Sequence, residues 1–173
     1  MQPLVDFFSH PIVVIVNGFL GIPTILIVLS GIYYTLKGIL PVWRRLGLAL
    51  TKREIAIFAD ERFNELKDIL VDSGLFQEKN IIKIDKASLK KAETISVYLV
   101  DYACFKKEID DVMALKRDSD AMIIYSPPEE PRIVKEMMNK LNSERNTTTA
   151  NFRGRLLNDV IAAMISTGFK KQR

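Results

Sequence analysis

The sequence predicts an α/β domain with a five-stranded parallel sheet between two layers of helices, preceded by one transmembrane α-helix. The first observation behind this prediction is a long N-terminal run without charged side chains, and the second is a regular alternation of strand-like and helix-like segments after it. We therefore divide the 173 residues into an anchor with its juxtamembrane segment, 1–50, and an α/β domain, 51–173. About 120 residues suffice for one such core.

The anchor is predicted by thirty consecutive residues, 7–36, that carry no formal charge. A helix of about 20 apolar residues crosses the hydrocarbon core, so this run is long enough to span a membrane once and too short to span it twice. A cleaved signal peptide would have basic residues before a shorter apolar core, whereas here the basic residues follow the run. We therefore expect a permanent anchor.

The charges that flank this run predict its orientation. The N-terminal side offers only Asp6, whereas five basic residues follow the run within about 17 positions: Lys37, Arg44, Arg45, Lys52 and Arg53. Because cytoplasmic flanks carry the excess of Lys and Arg, we expect the N-terminus outside and the α/β domain in the cytoplasm, at the inner (plasma) membrane. The same charges would also suit a contact with anionic lipid.

Aromatic residues mark the expected membrane interface. Tyr33, Tyr34 and Trp43 are placed where amphipathic rings settle at the level of the lipid headgroups. We expect the segment 38–50, which contains the tryptophan, to lie along that interface.

Small and amide side chains interrupt the apolar run: Asn17, Gly18, Gly21, Ser30 and Gly31. Such residues allow helices to approach closely and to hydrogen-bond in lipid. An unpaired amide in lipid is costly, so Asn17 is the most informative of the five. We expect the anchors to self-associate into a homo-oligomer. The alternative is that Gly and Ser are simply common in membrane helices.

The first half of the α/β domain shows three strands and two helical segments. Residues 54–60, 80–85 and 95–101 are short β-rich runs. In 61–74 apolar residues recur at intervals of three and four and a glycine ends the segment, which predicts a helix. A shorter helical piece is expected at 86–93.

The second half continues the alternation. The segment 104–120 has one apolar side and predicts a helix, and 121–126 is an apolar strand that two prolines end. Residues 131–143 have helical spacing, 147–152 are β-branched enough for a fifth strand, and 153–169 form a closing helix. Since parallel neighbours require crossover connections, this order predicts a parallel sheet covered on both faces.

Composition excludes several classes of protein. A hydrophobic fraction of 48% excludes intrinsic disorder, and one Cys with one His excludes a disulfide framework and a Cys-built metal site. The net charge of +4 is small, and the basic C-terminus is too short to indicate nucleic acid as a direct ligand. Neither a Gly-rich phosphate loop nor a dinucleotide-binding fingerprint is present.

Candidate ligand-binding residues follow the strands, because ligands of open α/β sheets bind beyond the carboxyl ends of the strands. These residues are Asp60, Glu61, Asp101, Ser126, Arg153 and Arg155. The two arginines open the last helix, where guanidinium groups and helix amides would hold a phosphate or carboxylate. The alternative is a surface loop whose arginines pair with Asp159 or with anionic lipid. The proline-rich loop 126–131 is expected to be an interaction surface.

The motifs IFADE at 57–61, YLVD at 98–101 and IIYS at 123–126 resemble the receiver domain of response regulators. That family has a flavodoxin-like sheet with two acids after the first strand, a phosphoacceptor Asp after the third and a Ser or Thr after the fourth. The resemblance implies that Asp60 and Glu61 bind Mg²⁺ and that Asp101 joins them and accepts the phosphoryl group. The family's Lys after the fifth strand is missing, with Arg153 as the nearest substitute. Alternatively, such acids cap the helices that follow them.

The stretch CFKKEI at 104–109 resembles the Cys-and-Glu stretch of Toll/interleukin-receptor (TIR) domains, which are also flavodoxin-like. Enzymatic members of that family hydrolyse NAD, which would make Glu108 the catalytic residue here. The Ser that precedes the family's stretch is absent, and the spacing from Cys to Glu is one residue longer. The alternative is a Lys-Glu pair on a solvated helix face.

Small single-span proteins of this build look like bacterial receptors or effectors of the inner membrane, including those of phage-defence systems. We therefore expect a signalling or effector module that acts through clustering of its anchors. Its α/β domain would bind a protein partner encoded nearby or a small anionic ligand, with Mg²⁺ or a nucleotide as the cofactors to consider. The alternatives are NAD hydrolysis through Glu108 and phosphoryl acceptance by Asp101.

Overall fold

The structure is a computed structural model that describes residues 11–130 and 132–167, without the side chains of 12–18, 45, 46 and 48–51. The chain forms two compact units that divide between Arg44 and Arg45. The described part of the first unit, residues 11–44, belongs to one long helix, and the second unit contains the α/β domain.

Helix α1 runs from Pro11 to Lys52 and contains 42 residues. Its part Phe19–Arg44 is long and apolar enough to cross a membrane, and none of that part is buried. The helix continues through Pro23 and Pro41. The segment 38–50 is therefore not a separate element but the continuation of the same helix.

Within its described residues, the α/β domain contains five strands and five α-helices. The strands are β1 (Ile55–Phe58), β2 (Ile81–Ile84), β3 (Val97–Asp101), β4 (Ala121–Tyr125) and β5 (Thr147–Ala150). The helices are α2 (Phe63–Asp72), α3 (Tyr102–Phe105), α4 (Ile109–Leu115), α5 (Lys135–Ser143) and α6 (Arg153–Ser166). Two 3₁₀ segments, Glu78–Asn80 and Lys86–Thr94, precede and follow β2.

All four strand pairings are parallel, and the order across the sheet is β2-β1-β3-β4-β5. This order is the flavodoxin-like arrangement. Apolar side chains on one face pack against α2 and α6, and those on the other face pack against the second 3₁₀ segment, α4 and α5. The predicted three-layer α/β domain is confirmed.

The segment 104–120 was expected to be one helix, and this expectation is wrong. The backbone N–H of Glu108 donates to Phe105 O at 3.1 Å, an i→i−3 bond that separates α3 from α4. Helix α4 then ends at Leu115, where the segment up to Asp120 forms a turn in which the Arg117 amide donates to the Asp120 carboxylate at 3.0 Å. Phe105 at the end of α3 and Ile109 at the start of α4 are both buried.

Arg53 holds the amino edge of the sheet together. Its side chain is buried, with 3% of the residue exposed, and its guanidinium donates to Ser96 Oγ at 3.0 Å, Met164 O at 3.0 Å and Thr167 Oγ1 at 2.9 Å. The carbonyls at the carboxyl end of α6 thereby receive a cation and hydrogen-bond donors. Burial lowers the pKa of Arg53 and the charge of Asp120 opposes this shift.

We predict that Arg53→Ala lowers the free energy of unfolding of the domain by roughly 3 kcal/mol, because hydrogen bonds of a buried charged group are lost together. Hydrogen exchange of β1 and β3 in the detergent-solubilised full chain would then be about 100-fold faster. Arg145→Ala is the matched control, since that arginine is exposed and its ion pair with Asp118 is long, at 4.0 Å. Equal exchange rates in the two variants would contradict the role given to Arg53.

Candidate functional site

The candidate crevice lies between the carboxyl ends of β1 and β3, which are neighbours in the sheet. From β1 the chain passes to α2 on one face, and from β3 it passes to α3 on the other. Ligands of this fold bind at such a switch point. Here two contacts link the loops across it: Cys104 Sγ donates to Asp60 Oδ2 at 3.1 Å, and Arg62 Nη1 lies 3.5 Å from Asp101 Oδ1. The protein's own side chains therefore bridge the crevice.

Arg62 is the centre of this arrangement. Its guanidinium forms ion pairs with Asp101, with Glu130 and, at 3.6 Å, with Glu65, and it lies 5.9 Å from the centroid of the Tyr125 ring. Burial opposes its charge, but the hydrogen bond to Glu130 and the three carboxylates raise the pKa of Arg62. Arg62 was not predicted from the sequence, although a basic residue directly after two strand-end acids is a signal for their counterion.

The surroundings of Asp101 disfavour the charged form of its carboxyl group. The residue is 4% exposed, and burial raises the pKa of its carboxyl group. Arg62 and the backbone amides of Ala103 and Cys104 lower that pKa, and the charge of Glu130 raises it. Among the described residues its Oδ1 makes no hydrogen bond, so the contact with Arg62 is an ion pair of two charges at a distance. This carboxylate is thus held in place and poorly accessible.

Cys104 is a protonated thiol rather than a nucleophile. Burial and its hydrogen bond to Asp60 raise the pKa of the thiol to about 11. A thiol with a raised pKa carries little thiolate at neutral pH, and the thiolate is the reactive form. The bond to Asp60 is therefore a structural contact between two loops.

The three residues predicted to bind Mg²⁺ do not form a ligand set. Glu61 is exposed, the Asp60 carboxylate accepts the Cys104 thiol, and Asp101 faces Arg62. In the part of the chain that the structure describes, no group of three or more His, Cys, Asp or Glu side chains is arranged to hold a metal ion. The guanidinium of Arg62 supplies the positive charge that Asp101 would otherwise need, so these residues do not fit the cation.

Glu108 pairs with Lys86 and not with Asp60, Arg62 or Asp101. It precedes α4, and its carboxylate lies 4.0 Å from Lys86 Nζ, which in turn lies 5.7 Å from the centroid of the Phe105 ring. Within the described residues its Oε2 is buried without a hydrogen-bond partner. NAD hydrolysis at Glu108 and phosphoryl acceptance at Asp101 gain no support from these contacts, and both stay predictions.

Arg153 and Arg155 already have acidic partners on the surface. Arg153 Nη1 lies 3.6 Å from Glu65 Oε1, and Arg155 Nη2 lies 3.8 Å from Asp159 Oδ1. The second pair is the one that the alternative interpretation of this turn expected. Because exposed ion pairs are weak, both guanidinium groups could exchange these partners for an anion.

Ser126 lies in a second location at the carboxyl edge. Together with side chains after β4 and β5 it lines a cleft of about 420 Å³. The other polar members of the lining are Arg132 and Asn151, and its apolar members include Pro127 and Phe152. Arg132, Asn151 and Phe152 were not singled out from the sequence, because only the pairing of β4 with β5 brings them to Ser126.

Of the small residues whose side chains the structure describes, the two glycines share one side of α1 and Ser30 lies on another. The side chains of Asn17 and Gly18 lie outside the described residues. At 100° per residue, Gly21 and Gly31 lie about 80° apart around the helix, whereas Ser30 lies about 180° from Gly21. Ser30 Oγ also donates to Ile27 O at 3.1 Å and to Leu26 O, so its hydroxyl is satisfied inside its own helix.

Comparison of the chain with protein-family models, with curated proteins and with solved structures found no match in any of the three. The structure therefore classifies the protein by its fold alone. It is a flavodoxin-like α/β domain that follows one long apolar helix. A fold alone does not define a function, which depends on the contacts of the candidate site.

We predict that Asp101→Asn makes the domain more stable than wild type at pH 7 but not at pH 3. The folded-state pKa of Asp101 is raised, so wild type loses stability as the pH rises through that pKa and the carboxyl group must ionise while buried. Below the unfolded-state pKa of about 3.9 both forms are neutral and the difference vanishes. Arg62 keeps Glu65 and Glu130 as partners in the variant.

Calorimetric unfolding of the detergent-solubilised full chain at both pH values measures this difference. Asp110→Asn is the control, because its carboxylate is exposed on α4 and pairs with Lys140 on the surface. A variant that is less stable than wild type at pH 7 would show instead that the ion pair with Arg62 outweighs the cost of burial.

Proposed function

We propose that this chain is a single-pass membrane-anchored signalling or effector module whose α/β domain binds a partner. The observation that supports it best is the surface of α1. Large apolar side chains of this helix are exposed along its whole described length, including Phe19, Ile27, Leu29 and Trp43. Such a surface requires cover, and a helix satisfies its own backbone hydrogen bonds in lipid.

The proposed orientation has the N-terminus outside and the domain in the cytoplasm, at the inner membrane. Lys37, Arg44, Arg45 and Lys52 support it through the excess of positive charge after the apolar segment. Arg53 does not serve as a lipid contact, since its guanidinium is buried in the domain. The ammonium group of Lys37 lies 5.7 Å from the centroid of the Tyr33 ring, an arrangement compatible with the interface.

Binding suits the α/β domain better than turnover does. A catalytic site requires reactive groups that a substrate can reach, whereas Asp101 is buried against Arg62 and Cys104 donates to Asp60. The open surface at the carboxyl edge is instead the cleft that contains Ser126. The partner would be a small anionic ligand or a protein encoded nearby, in a bacterial context such as phage defence.

The proposed mechanism couples that binding to the association of anchors. A ligand shifts an equilibrium between assemblies only by the difference between its affinities for them. Two domains brought together by a partner would raise the local concentration of their α1 helices. Clustering of the anchors is then the output of the module.

We predict that the full chain stays with the membrane pellet after alkaline carbonate extraction and is released only by detergent. Ile27→Asp combined with Leu29→Asp should release it, because each charge at the centre of a span costs about 3 kcal/mol. Ile27→Leu combined with Leu29→Ile is the control. Protease added to intact cells should spare the domain and digest it in inverted vesicles. A wild-type chain in the supernatant would contradict the proposal.

We also predict that Gly31→Leu weakens anchor association roughly tenfold, measured by energy transfer between labelled chains in liposomes. A Cβ added at Gly31 meets no atom within 4 Å, so the substitution is tolerated by the chain itself and acts on contacts with a second helix. Leu29→Phe is the control, since it enlarges a side chain about 200° around the helix. Equal association of all three chains would rule out this glycine as a contact.

A further inference from the structure

We propose that the cleft between the loops after β4 and β5 binds a phosphate monoester that carries a flat ring, the chemistry of a nucleoside monophosphate. This inference rests on the proposed function and names the class of its small anionic ligand. The cleft has a volume of about 420 Å³, which lies within the range of about 300–1,000 Å³ typical of small-molecule sites. Its lining combines three polar donors with an exposed aromatic ring.

Ser126 provides the observation that points to a ligand. The residue is 7% exposed, and it lines the cleft directly after β4. Its backbone N–H donates to Ala150 O at 3.0 Å, whereas its hydroxyl has no hydrogen-bond partner among the described residues. The hydroxyl oxygen is not among the described side-chain atoms that are sealed from solvent without a partner, so it faces the open cleft and is available to a group that enters it.

Two further donors accompany this hydroxyl. The Arg132 guanidinium and the Asn151 side-chain amide line the same cleft, and neither makes an ion pair or hydrogen bond within the described residues. Arg132 thus differs from Arg153 and Arg155, which have acidic partners. Three separate donors suit the three terminal oxygens of a phosphate monoester better than the two oxygens of a carboxylate.

Phe152 supplies the site for the ring. It directly precedes α6, where the amide of Arg155 donates to its carbonyl at 3.0 Å, and 58% of the residue is exposed. Together with Pro127 and Pro128 it forms an apolar wall beside the donors. Flat rings stack on aromatic faces, and a purine or pyrimidine would cover this exposed ring.

The loop after β4, which carries Ser126 and Arg132, is held in place from its other side. Glu130 forms an ion pair with Arg62, and its backbone N–H donates to Pro127 O at 3.1 Å. Pro127 and Pro128 restrict the backbone of this loop further. A loop fixed in advance loses less entropy when a ligand binds, which favours affinity.

The test titrates AMP and UMP into the detergent-solubilised full chain and measures heat. We expect both to bind, and adenosine and inorganic phosphate each to bind at least about tenfold more weakly, since each probe lacks half of the recognised chemistry. Arg132→Ala and Phe152→Ala should each weaken AMP binding about tenfold or more. Both residues are at the surface, so the fold should survive their removal, and Arg145→Ala is the control arginine.

The proposal is overturned if neither nucleotide binds at about 1 mM, or if Arg132→Ala and Phe152→Ala bind AMP as wild type does. If inorganic phosphate binds as tightly as AMP, the proposed recognition of the ring is overturned. Because the chain is in detergent, these outcomes do not depend on membrane insertion or anchor association. If nucleotides do not bind but the chain is anchored, only the proposal that the cleft binds a nucleotide is refuted. If the full chain is soluble, the proposed function is refuted.

Discussion

Complete burial of β1, β3 and β4 is the constraint from which the arrangement of charges in this domain follows. A strand covered on both faces has no place for a polar side chain except at its ends. Charges therefore collect at the two edges of the sheet, and each edge has its own arginine. Arg53 joins β3 and α6 at the amino edge, and Arg62 joins the loops after β1, β3 and β4 at the carboxyl edge.

The fold was predictable because its signals are local. Apolar runs of four or five residues, separated by helical segments, are enough to indicate a parallel sheet, and the strand order agrees with that prediction. The roles of the two arginines were not predictable, because their partners are distant in sequence. Arg53 bonds residues 43 to 114 positions away, and Arg62 pairs with acids that follow two other strands. Nothing in the residues next to them specifies those distances.

In the candidate site, too, the positions of residues along the chain were predictable and their side-chain partners were not. Sequence reasoning placed Asp60, Asp101 and Ser126 correctly at the carboxyl ends of strands, since chain direction in a parallel sheet decides that placement. The sequence left open whether these three residues share one pocket, and the contacts in the structure separate them. Asp60 and Asp101 each face a side chain from the opposite loop, and Ser126 lines a cleft one strand further along the sheet. Which neighbour a polar group finds depends on side-chain packing that a motif does not encode.

Arg62 accounts both for the bridged switch point and for the fixed loop beside the open cleft. By balancing Asp101 and Glu130, this guanidinium removes the need for a cation in the crevice and at the same time ties down the loop after β4. That loop carries Ser126 and Arg132, whose donors have no partner among the described residues. The charge that makes the crevice unsuitable for metal chemistry therefore also fixes the wall of the cleft. One side chain therefore closes the crevice and holds the loop beside the neighbouring cleft.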